Sequence, residues 1–170
     1  MKDFVLYREF ETLPATSPFP ATLQLAALDS GPLIRFEQYD SEAAARAAGD
    51  GEVYKRLFEV KGPWTDSPTH AVFAIWLVAD PAQVEGFLES RRQLFTVRQQ
   101  VLPRFAYDWV LQSLDNTGNF MVLGLYGDEE SATSLCRDHP EIQKFAKAHP
   151  AAQYGARDLT GMRSYRVDDV

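Results

Sequence analysis

The sequence predicts an α+β protein whose two halves, the first incomplete, supply antiparallel sheets to one intramolecular barrel. Three observations lead to this prediction. From residue 66 onward the sequence indicates a strand, a helix, a two-stranded hairpin, a helix and a final strand. The first 65 residues repeat the hairpin and the helix that follows it. The first strand of the second half is apolar on both faces, so other parts of the fold must cover both.

That doubly apolar strand occupies Ala71–Val78 and contains no charged side chain. A strand of this kind needs a helix layer behind it and a second sheet in front of it. Asp80 and Pro81 follow, and they are typical of a helix N-cap and of the first helical position. Apolar residues at helical spacing then continue to Leu102, and Pro103 ends the predicted helix.

A hairpin, a second helix and a final strand complete the second half. The hairpin strands are predicted at Tyr107–Leu114 and Asn119–Tyr126, because the residues between them tolerate the positive φ angles of tight turns. Acidic residues at 128–130 mark the start of the next helix, where the helix dipole favours negative charge. The final strand is predicted at Leu159–Val167. The resulting order, β-α-β-β-α-β, is the ferredoxin-like order.

The first half is predicted to be a reduced copy of the second. Matching residues recur at a nearly constant spacing, and the pairs are Leu25 with Leu111, Leu28 with Leu114, Asp29 with Asp115, Gly31 with Gly118, Tyr39 with Tyr126, Glu42 with Glu129, Ala45 with Ala132, and Phe58 with Phe145. Shared turn chemistry is the alternative explanation.

The first half also lacks room for a long helix. Between the strands predicted at Phe4–Phe10 and Ala21–Leu28, the segment Glu11–Pro20 is too short and too rich in proline for a packed crossover helix. The predicted units are therefore residues 1–65, an incomplete ferredoxin-like half, and residues 66–170, a complete half. Because the first half cannot bury its own sheet, we expect the two to pack as one unit.

Composition limits the classes of function. The chain of 170 residues has 24 acidic and 17 basic side chains and a formal net charge of −7, which argues against a general binder of nucleic-acid phosphates. The single cysteine, Cys136, excludes an intramolecular disulfide and a cysteine-built metal site. No segment is apolar over the ~20 residues that cross a bilayer, and no secretory signal opens the sequence. We therefore expect a cytoplasmic protein without nucleic-acid or membrane partners.

Motifs for metal, nucleotide or nucleophile chemistry do not occur. The three histidines, His70, His139 and His149, have no metal-ligand spacing, so no metal is expected. The sequence contains no nucleophile elbow, phosphate-binding glycine loop, zinc-protease motif or calcium-binding loop. Serine hydrolases, nucleotide-dependent enzymes, zinc proteases and calcium sensors are therefore not indicated.

Three stretches of the sequence resemble the antibiotic-biosynthesis-monooxygenase superfamily of dimeric α+β barrels. They are the apolar strand that leads into Asp80-Pro81 and the long helix, the hairpin from Leu114 to Tyr126, and the run from Tyr126 through His139-Pro140 to Phe145. The whole chain resembles a longer subgroup in which a reduced first half precedes a complete domain and the barrel closes within one chain. That subgroup includes haem-degrading monooxygenases and the signal-transduction protein TRAP.

The resemblance implies a small-molecule-binding protein, with a cofactor-independent monooxygenase on an apolar or aromatic compound as the leading function. Such enzymes bind substrate in an aromatic-lined pocket. The predicted strands offer suitable side chains in Phe73, Trp76, Trp109, Met121 and Tyr126. Ordinary core packing is the alternative explanation of these residues.

Asp108 is the candidate catalytic base, because it interrupts an apolar strand. A carboxylate in this position either faces solvent, which is the simpler explanation, or lies in a pocket with a raised pKa.

A haem-binding or haem-degrading monooxygenase is the alternative enzyme. The resemblance places the asparagine, tryptophan and histidine of that branch near Ala74, Cys136 and Ala146, so this sequence departs from the pattern at all three. His149 follows closely and is the candidate axial ligand if the helix register differs. A histidine at a helix C-terminus is also stabilised there without any ligand role. No cofactor is therefore expected, and haem is the alternative.

Other charged and reactive residues are assigned to structure. Arg91, Arg92, Arg98 and Arg104 could receive an anionic ligand or partner, but a solvated helix face explains them more simply. Cys136 is predicted to be a small buried hydrophobic side chain. A non-catalytic stress or signalling protein of the TRAP type stays open as a third class of function. A monomer with an internal pseudo-dimer and a homodimer stay open as assembly states.

Overall fold

The structure, a computed structural model, describes residues 2–10, 22–28 and 33–168. In the first half, strands β1 (Phe4–Phe10), β2 (Thr22–Ala27) and β3 (Leu33–Tyr39) are followed by the short helix α1 (Glu42–Ala47) and by β4 (Glu52–Lys61). The segment Glu11–Pro20 lies outside the described residues, and so do the residues of the turn between β2 and β3.

The second half contains the long helix and the hairpin. Strand β5 (His70–Val78) leads into α2 (Pro81–Val101), which precedes β6 (Phe105–Ser113) and β7 (Asn119–Tyr126). A π-helical turn (Ser131–Leu135) continues into α3 (Cys136–Asp138) and α4 (Pro140–Ala148), and a 3₁₀ turn (Ala151–Tyr154) precedes β8 (Ala156–Asp158) and β9 (Arg163–Asp168). Over the part of the chain that the structure describes, no helix is both long and apolar enough to cross a membrane.

Helix α2 begins and ends where the sequence signals predict. Oδ1 of Asp80 accepts a hydrogen bond from the backbone N–H of Ala82 at 3.0 Å, and Pro81 occupies the first turn. At the other end, the backbone N–H of Leu102 donates to the carbonyl of Arg98 at 2.9 Å. Pro103 has no N–H to continue this pattern, so the chain leaves the helix.

The strands close into one antiparallel barrel. The first half has the strand order β4-β1-β3-β2, and the second half has the order β9-β5-β7-β6. β2 pairs with β9 and β4 pairs with β6, so the two sheets join at both edges. Both halves therefore have the ferredoxin-like strand order, and the predicted α+β fold class is confirmed. The boundary at residues 65 and 66 stays a prediction.

The barrel interior is an apolar core built by both halves. The ring of Phe73 on β5 stacks on Tyr165 of β9 at 5.1 Å between centroids. It also meets Tyr7 of β1 at 6.1 Å and Phe36 of β3 at 6.3 Å, both edge-on. The first half thus covers the inner face of β5, and helices α2 and α4 pack over the outer face that β5 shares with its neighbour β7.

Two details of the predicted organisation are wrong. The final strand, predicted at Leu159–Val167, begins only at Arg163 as β9, because residues 159–162 form the turn that follows β8. In this turn, Oδ1 of Asp158 accepts hydrogen bonds from the N–H groups of Thr160 at 3.1 Å and Gly161 at 2.9 Å, and Gly161 has a φ of 71°. The proposed repeat also fails at its last pair, since Phe58 lies on strand β4 and Phe145 on helix α4.

Candidate functional site

A cavity of about 180 Å³ lies between the outer face of the barrel and the helices that cover it. Strands β5 and β7 form its floor, α2 forms one wall, and the chain from Cys136 into α4 forms the other. The lining residues are Val72, Phe73, Ala74, Trp76, Arg91, Leu94, Phe95, Arg98, Val122, Cys136, Arg137, Ile142, Ala146 and Met162. The surface is therefore mostly apolar and carries three guanidinium groups.

The floor of the cavity follows from the alternation of side chains along β5. Val72 and Trp76 pack in the outer core under the helices, whereas Ala71, Phe73 and Ile75 belong to the barrel interior. Ala74 lies on the outer face between Val72 and Trp76, and it lines the cavity. Because its side chain is a single methyl group, the space above it stays open.

Arg91 is a buried cation at this cavity. Its residue is 8% exposed, and its guanidinium carbon lies 5.5 Å from the ring centre of Phe87 and 6.0 Å from that of Trp76. Its Nε lies 3.4 Å from Oγ of Ser90. Among the described residues no carboxylate forms an ion pair with it. Burial, together with the nearby positive charge of Arg98, lowers the pKa of Arg91 to about 10, so it remains a cation at neutral pH.

Arg98 lies two turns further along α2 and is paired with Asp108. Nη1 of Arg98 lies 2.9 Å from Oδ2 of Asp108, with the side chains 3% and 0% exposed. Nε of Arg98 also donates to the carbonyl of Cys136 at 3.2 Å, which joins α2 to the chain that leaves the π-helical turn. Burial raises the pKa of Asp108, and Arg98 offsets part of that effect.

The space for Asp108 depends on a glycine on the neighbouring strand. A Cβ atom at Gly124 would lie 2.3 Å from Oδ1 of Asp108 and 3.0 Å from the hydroxyl of Tyr126. Oδ1 of Asp108 has no hydrogen-bond partner among the described residues. The expectation that Asp108 faces solvent is therefore wrong, because β6 turns this side chain outward beneath α2 and the helix seals it from water.

The expectation that the α2 arginines form a solvated helix face is wrong for two of them. Arg91 and Arg98 are buried, whereas the Arg92 side chain is 50% exposed and that of Arg104, which follows the end of α2, is 49% exposed. The missed signal is helical spacing. The apolar stripe of α2 contains Phe87, Leu94, Phe95 and Leu102, and Arg91 and Arg98 fall within it.

Two of the five predicted ligand-binding residues, Phe73 and Trp76, line the cavity. Phe73 also belongs to the core of the barrel interior, as do Trp109 and Met121, and Tyr126 is fully buried in the outer core. In Trp109 the indole Nε1 donates to Oε2 of Glu59, so this ring belongs to a structural contact inside the barrel.

The histidines lie apart from one another and from the cavity. His149 ends α4, and its ring lies 4.8 Å from that of Phe145 beside a shallow groove between α2 and α4. His139 accepts a hydrogen bond from the N–H of Glu141 at 3.2 Å as a helix cap, and His70 begins β5. Within the described ranges, no group of three histidine, cysteine or acidic side chains could hold a metal ion.

The cavity does not suit haem. Ala74, Cys136 and Ala146, the positions at which the haem-degrading branch would have its functional residues, all line this cavity. None of them supplies an amide, an indole or an imidazole. A cavity of ~150 Å³ holds a single benzene ring, and haem contains four pyrrole rings, so about 180 Å³ is too small for it.

Hemin is expected to bind without a specific ligand, because His149 lies outside the cavity. Titration with hemin should give the same Soret band in the wild-type protein and in His149→Ala. Absorption spectra at one equivalent measure this directly. A shifted, saturable Soret band that disappears in His149→Ala would contradict the expectation and place an axial ligand on α4.

Comparison with protein-family models finds no match, and comparison with curated proteins finds none either. Solved structures match over nearly the whole chain. A major regulator of staphylococcal pathogenesis aligns with a TM-score of 0.65 at 12% identity, over 98% of this chain and 99% of that one. LmHde, a heme-degrading enzyme from Listeria monocytogenes, aligns with a TM-score of 0.62 at 10% identity, over 97% of this chain and 99% of that one.

A third similar structure carries the name of the family that the sequence resembles. It is a ferredoxin-fold protein from Listeria monocytogenes related to antibiotic biosynthesis monooxygenases, with a TM-score of 0.60 at 11% identity, over 99% of this chain and 96% of that one. At such identities the likeness is one of fold. This chain therefore has the ferredoxin-like α+β fold of proteins related to the antibiotic biosynthesis monooxygenases.

Proposed function

We propose that this chain binds a compact apolar or aromatic molecule in the cavity beneath α2 and α4. The observation that carries the proposal is the cavity itself, about 180 Å³ of space bounded by Trp76, Leu94, Phe95 and Ile142. Pockets that bind small molecules combine such an apolar lining with a few polar groups. Since a cavity of ~150 Å³ holds benzene, this one matches a single aromatic ring with a small substituent.

The activity we propose at this cavity is a monooxygenase reaction without a bound cofactor. The substrate then supplies all the electrons: a methyl or methylene carbon next to an electron-rich ring becomes a carbonyl, one atom of O₂ enters the product, and the other leaves as water. The described lining contains no carboxylate and no imidazole, so loss of the first proton depends on the acidity of the substrate itself. A phenol meets that requirement. The fold shared with LmHde and with a relative of antibiotic biosynthesis monooxygenases supports this choice.

Ala74→Leu is expected to weaken the binding of neutral single-ring compounds. The larger side chain occupies the floor of the cavity, so benzyl alcohol should bind at least about tenfold more weakly. This corresponds to a loss of ~1.4 kcal/mol in the free energy of binding. Filling a cavity leaves the unfolding temperature unchanged or raises it. Calorimetric titration and thermal unfolding measure the two effects.

Ala148→Leu is the matched control, because Ala148 lies on α4, which covers the cavity, but is exposed and does not line the cavity. It should bind benzyl alcohol like the wild-type protein. Failure of the wild-type protein to bind benzyl alcohol, or equal binding by Ala74→Leu, would remove the proposed binding function.

The oxygenation step has a separate test. 4-Methylphenol is incubated with the protein under isotopically labelled O₂ in the presence of a chelator. The expected product, 4-hydroxybenzaldehyde, carries one labelled oxygen, and the second labelled atom appears in water. Absence of labelled aldehyde, with 4-methylphenol binding intact, would contradict the activity and leave the binding function in place.

The packed barrel interior favours a second candidate, a non-catalytic regulator in which the barrel has a structural role and binds no ligand. Large side chains from both halves fill that interior, including Tyr7, Phe36, Tyr54, Phe73 and Tyr165. A regulator of staphylococcal pathogenesis has the same fold. This candidate predicts no binding of benzyl alcohol and no oxygenation by the wild-type protein, so the two experiments above separate it from the first.

A further inference from the structure

We propose that the ligand of the cavity is an anion, a single-ring carboxylate or phenolate whose charged oxygen pairs with the guanidinium of Arg91. The inference rests on the proposed function, because it names the ligand class of the same cavity. The inference concerns the charged group of the ligand, whereas the apolar lining described above binds its ring.

The first argument is the unbalanced charge of Arg91. A guanidinium that is 8% exposed has lost most of its hydration, and a buried charge is normally compensated by an ion pair. Arg98, on the same face of α2, has such a partner in Asp108 at 2.9 Å. Arg91 has no carboxylate partner among the described residues, although it lines an open cavity. An anionic ligand would supply the missing partner.

The second argument is the way in which neighbouring rings hold the guanidinium. Phe87 and Trp76 lie within about 6 Å of it and stabilise its charge through their π faces. Nε of Arg91 donates to Oγ of Ser90, and the ring contacts leave the Nη donors to bind an oxygen anion in the plane of the guanidinium. Arg91 is therefore held at the wall of the cavity without using its hydrogen-bonding capacity on another protein carboxylate.

The third argument is the local charge. The lining carries Arg91, Arg98 and Arg137, and Asp108 compensates only Arg98. Arg137 is exposed and lies at the open side of the cavity. The chain as a whole has a formal net charge of −7, so the positive charge at this site is opposite in sign to the net charge of the protein. An apolar space beside a buried cation matches a ligand with one anionic group and one ring.

The test compares benzoate with benzamide, a neutral molecule of nearly the same shape. In the wild-type protein we expect benzoate to bind more tightly than benzamide by about tenfold to a hundredfold, the effect of one charge-assisted hydrogen bond. Arg91→Gln removes the charge and keeps an amide donor, and it should reduce benzoate binding to the level of benzamide. Arg92→Gln is the matched control, because Arg92 is the next residue of α2 and its side chain is 50% exposed.

Each outcome has a distinct meaning. Removal of a buried charge should leave the unfolding temperature of Arg91→Gln unchanged or higher, so lost binding would not result from lost folding. Equal binding of benzoate by the wild-type protein and by Arg91→Gln, or a lower unfolding temperature with binding retained, would overturn the anion inference and make Arg91 a structural residue. If benzyl alcohol and benzamide bind but benzoate has no advantage, the cavity function stands and only the anion inference fails.

Discussion

Asp108→Ala is expected to lower the free energy of unfolding by about 3–5 kcal/mol, because it leaves the charge of Arg98 buried without a partner. Both side chains are almost fully shielded from water, and α2 and β6 hold them 2.9 Å apart. Water cannot replace the lost carboxylate at full strength in such a site. Chemical denaturation of the two proteins, followed by circular dichroism, measures the difference.

A double variant separates the destabilisation caused by an unpaired charge from the contribution of the ion pair to the free energy of unfolding. Arg98→Met with Asp108→Leu replaces both ions by apolar groups, and such replacements are often neutral or stabilising. The double variant should therefore recover most of the stability lost in Asp108→Ala. Asp168→Ala is the control for a pair at the same separation of 2.9 Å, because its partner Arg166 is 62% exposed and little should change. A small effect in Asp108→Ala itself would show that water reaches the pair.

The sequence was sufficient to predict the fold because its strongest signals are local. An apolar run on both faces of β5, a capping aspartate followed by proline, and a hairpin turn each determine one element with little help from the rest of the chain. The element order then leaves few topologies, and the ferredoxin-like order is one of them. The late start of β9 does not follow from the sequence pattern, because the Asp158 turn depends on side-chain hydrogen bonds to backbone N–H groups, a weak signal in sequence.

The burial of Arg91 and Arg98 has a signal in the sequence. A charged residue is usually exposed, and this tendency favours a solvated position for both. Both nevertheless fall at the helical spacing of the apolar stripe that contains Phe87 and Leu94. A charge within such a stripe predicts either a buried pair or a ligand, and the structure has one arginine with a pair and one without.

Strand geometry explains why the five predicted ligand-binding residues do not all line the cavity. Phe73 and Trp76 are an odd number of residues apart on one strand, so their side chains lie on opposite faces. The same holds for Met121 and Tyr126 on β7. The first half therefore covers the inner face of β5, whereas Trp76, on the outer face, is covered by α2.

The cavity itself could not be predicted from the sequence. It exists because Ala74 leaves space on the floor at a point where the helices α2 and α4 stand apart. The π-helical turn precedes the wall of the cavity at Cys136, and the hydrogen bond from Arg98 to the carbonyl of Cys136 joins that wall to α2. A small residue on an apolar strand is common, and only the position of the helices makes this one part of a site.

Phe73→Ala is the second change for which we expect a large effect, a loss of about 3–5 kcal/mol in the free energy of unfolding. Phe73 is 3% exposed, and its ring contacts Tyr7 and Phe36 from the first half and Tyr165 from β9. The cavity left by the lost ring would be bordered by strands paired at both edges, so the barrel cannot collapse to fill it. Denaturant unfolding of the variant and of the milder Phe73→Leu measures this cost.

The same experiment tests whether the two halves unfold together. Since Phe73 joins them through one shared core and β2–β9 and β4–β6 pair across both edges, the variant should still unfold in one transition, shifted to lower denaturant. Tryptophan fluorescence and far-ultraviolet circular dichroism should report the same midpoint. Two separated transitions would mean that the first half unfolds alone, and then the inner face of β5 would not depend on it for cover.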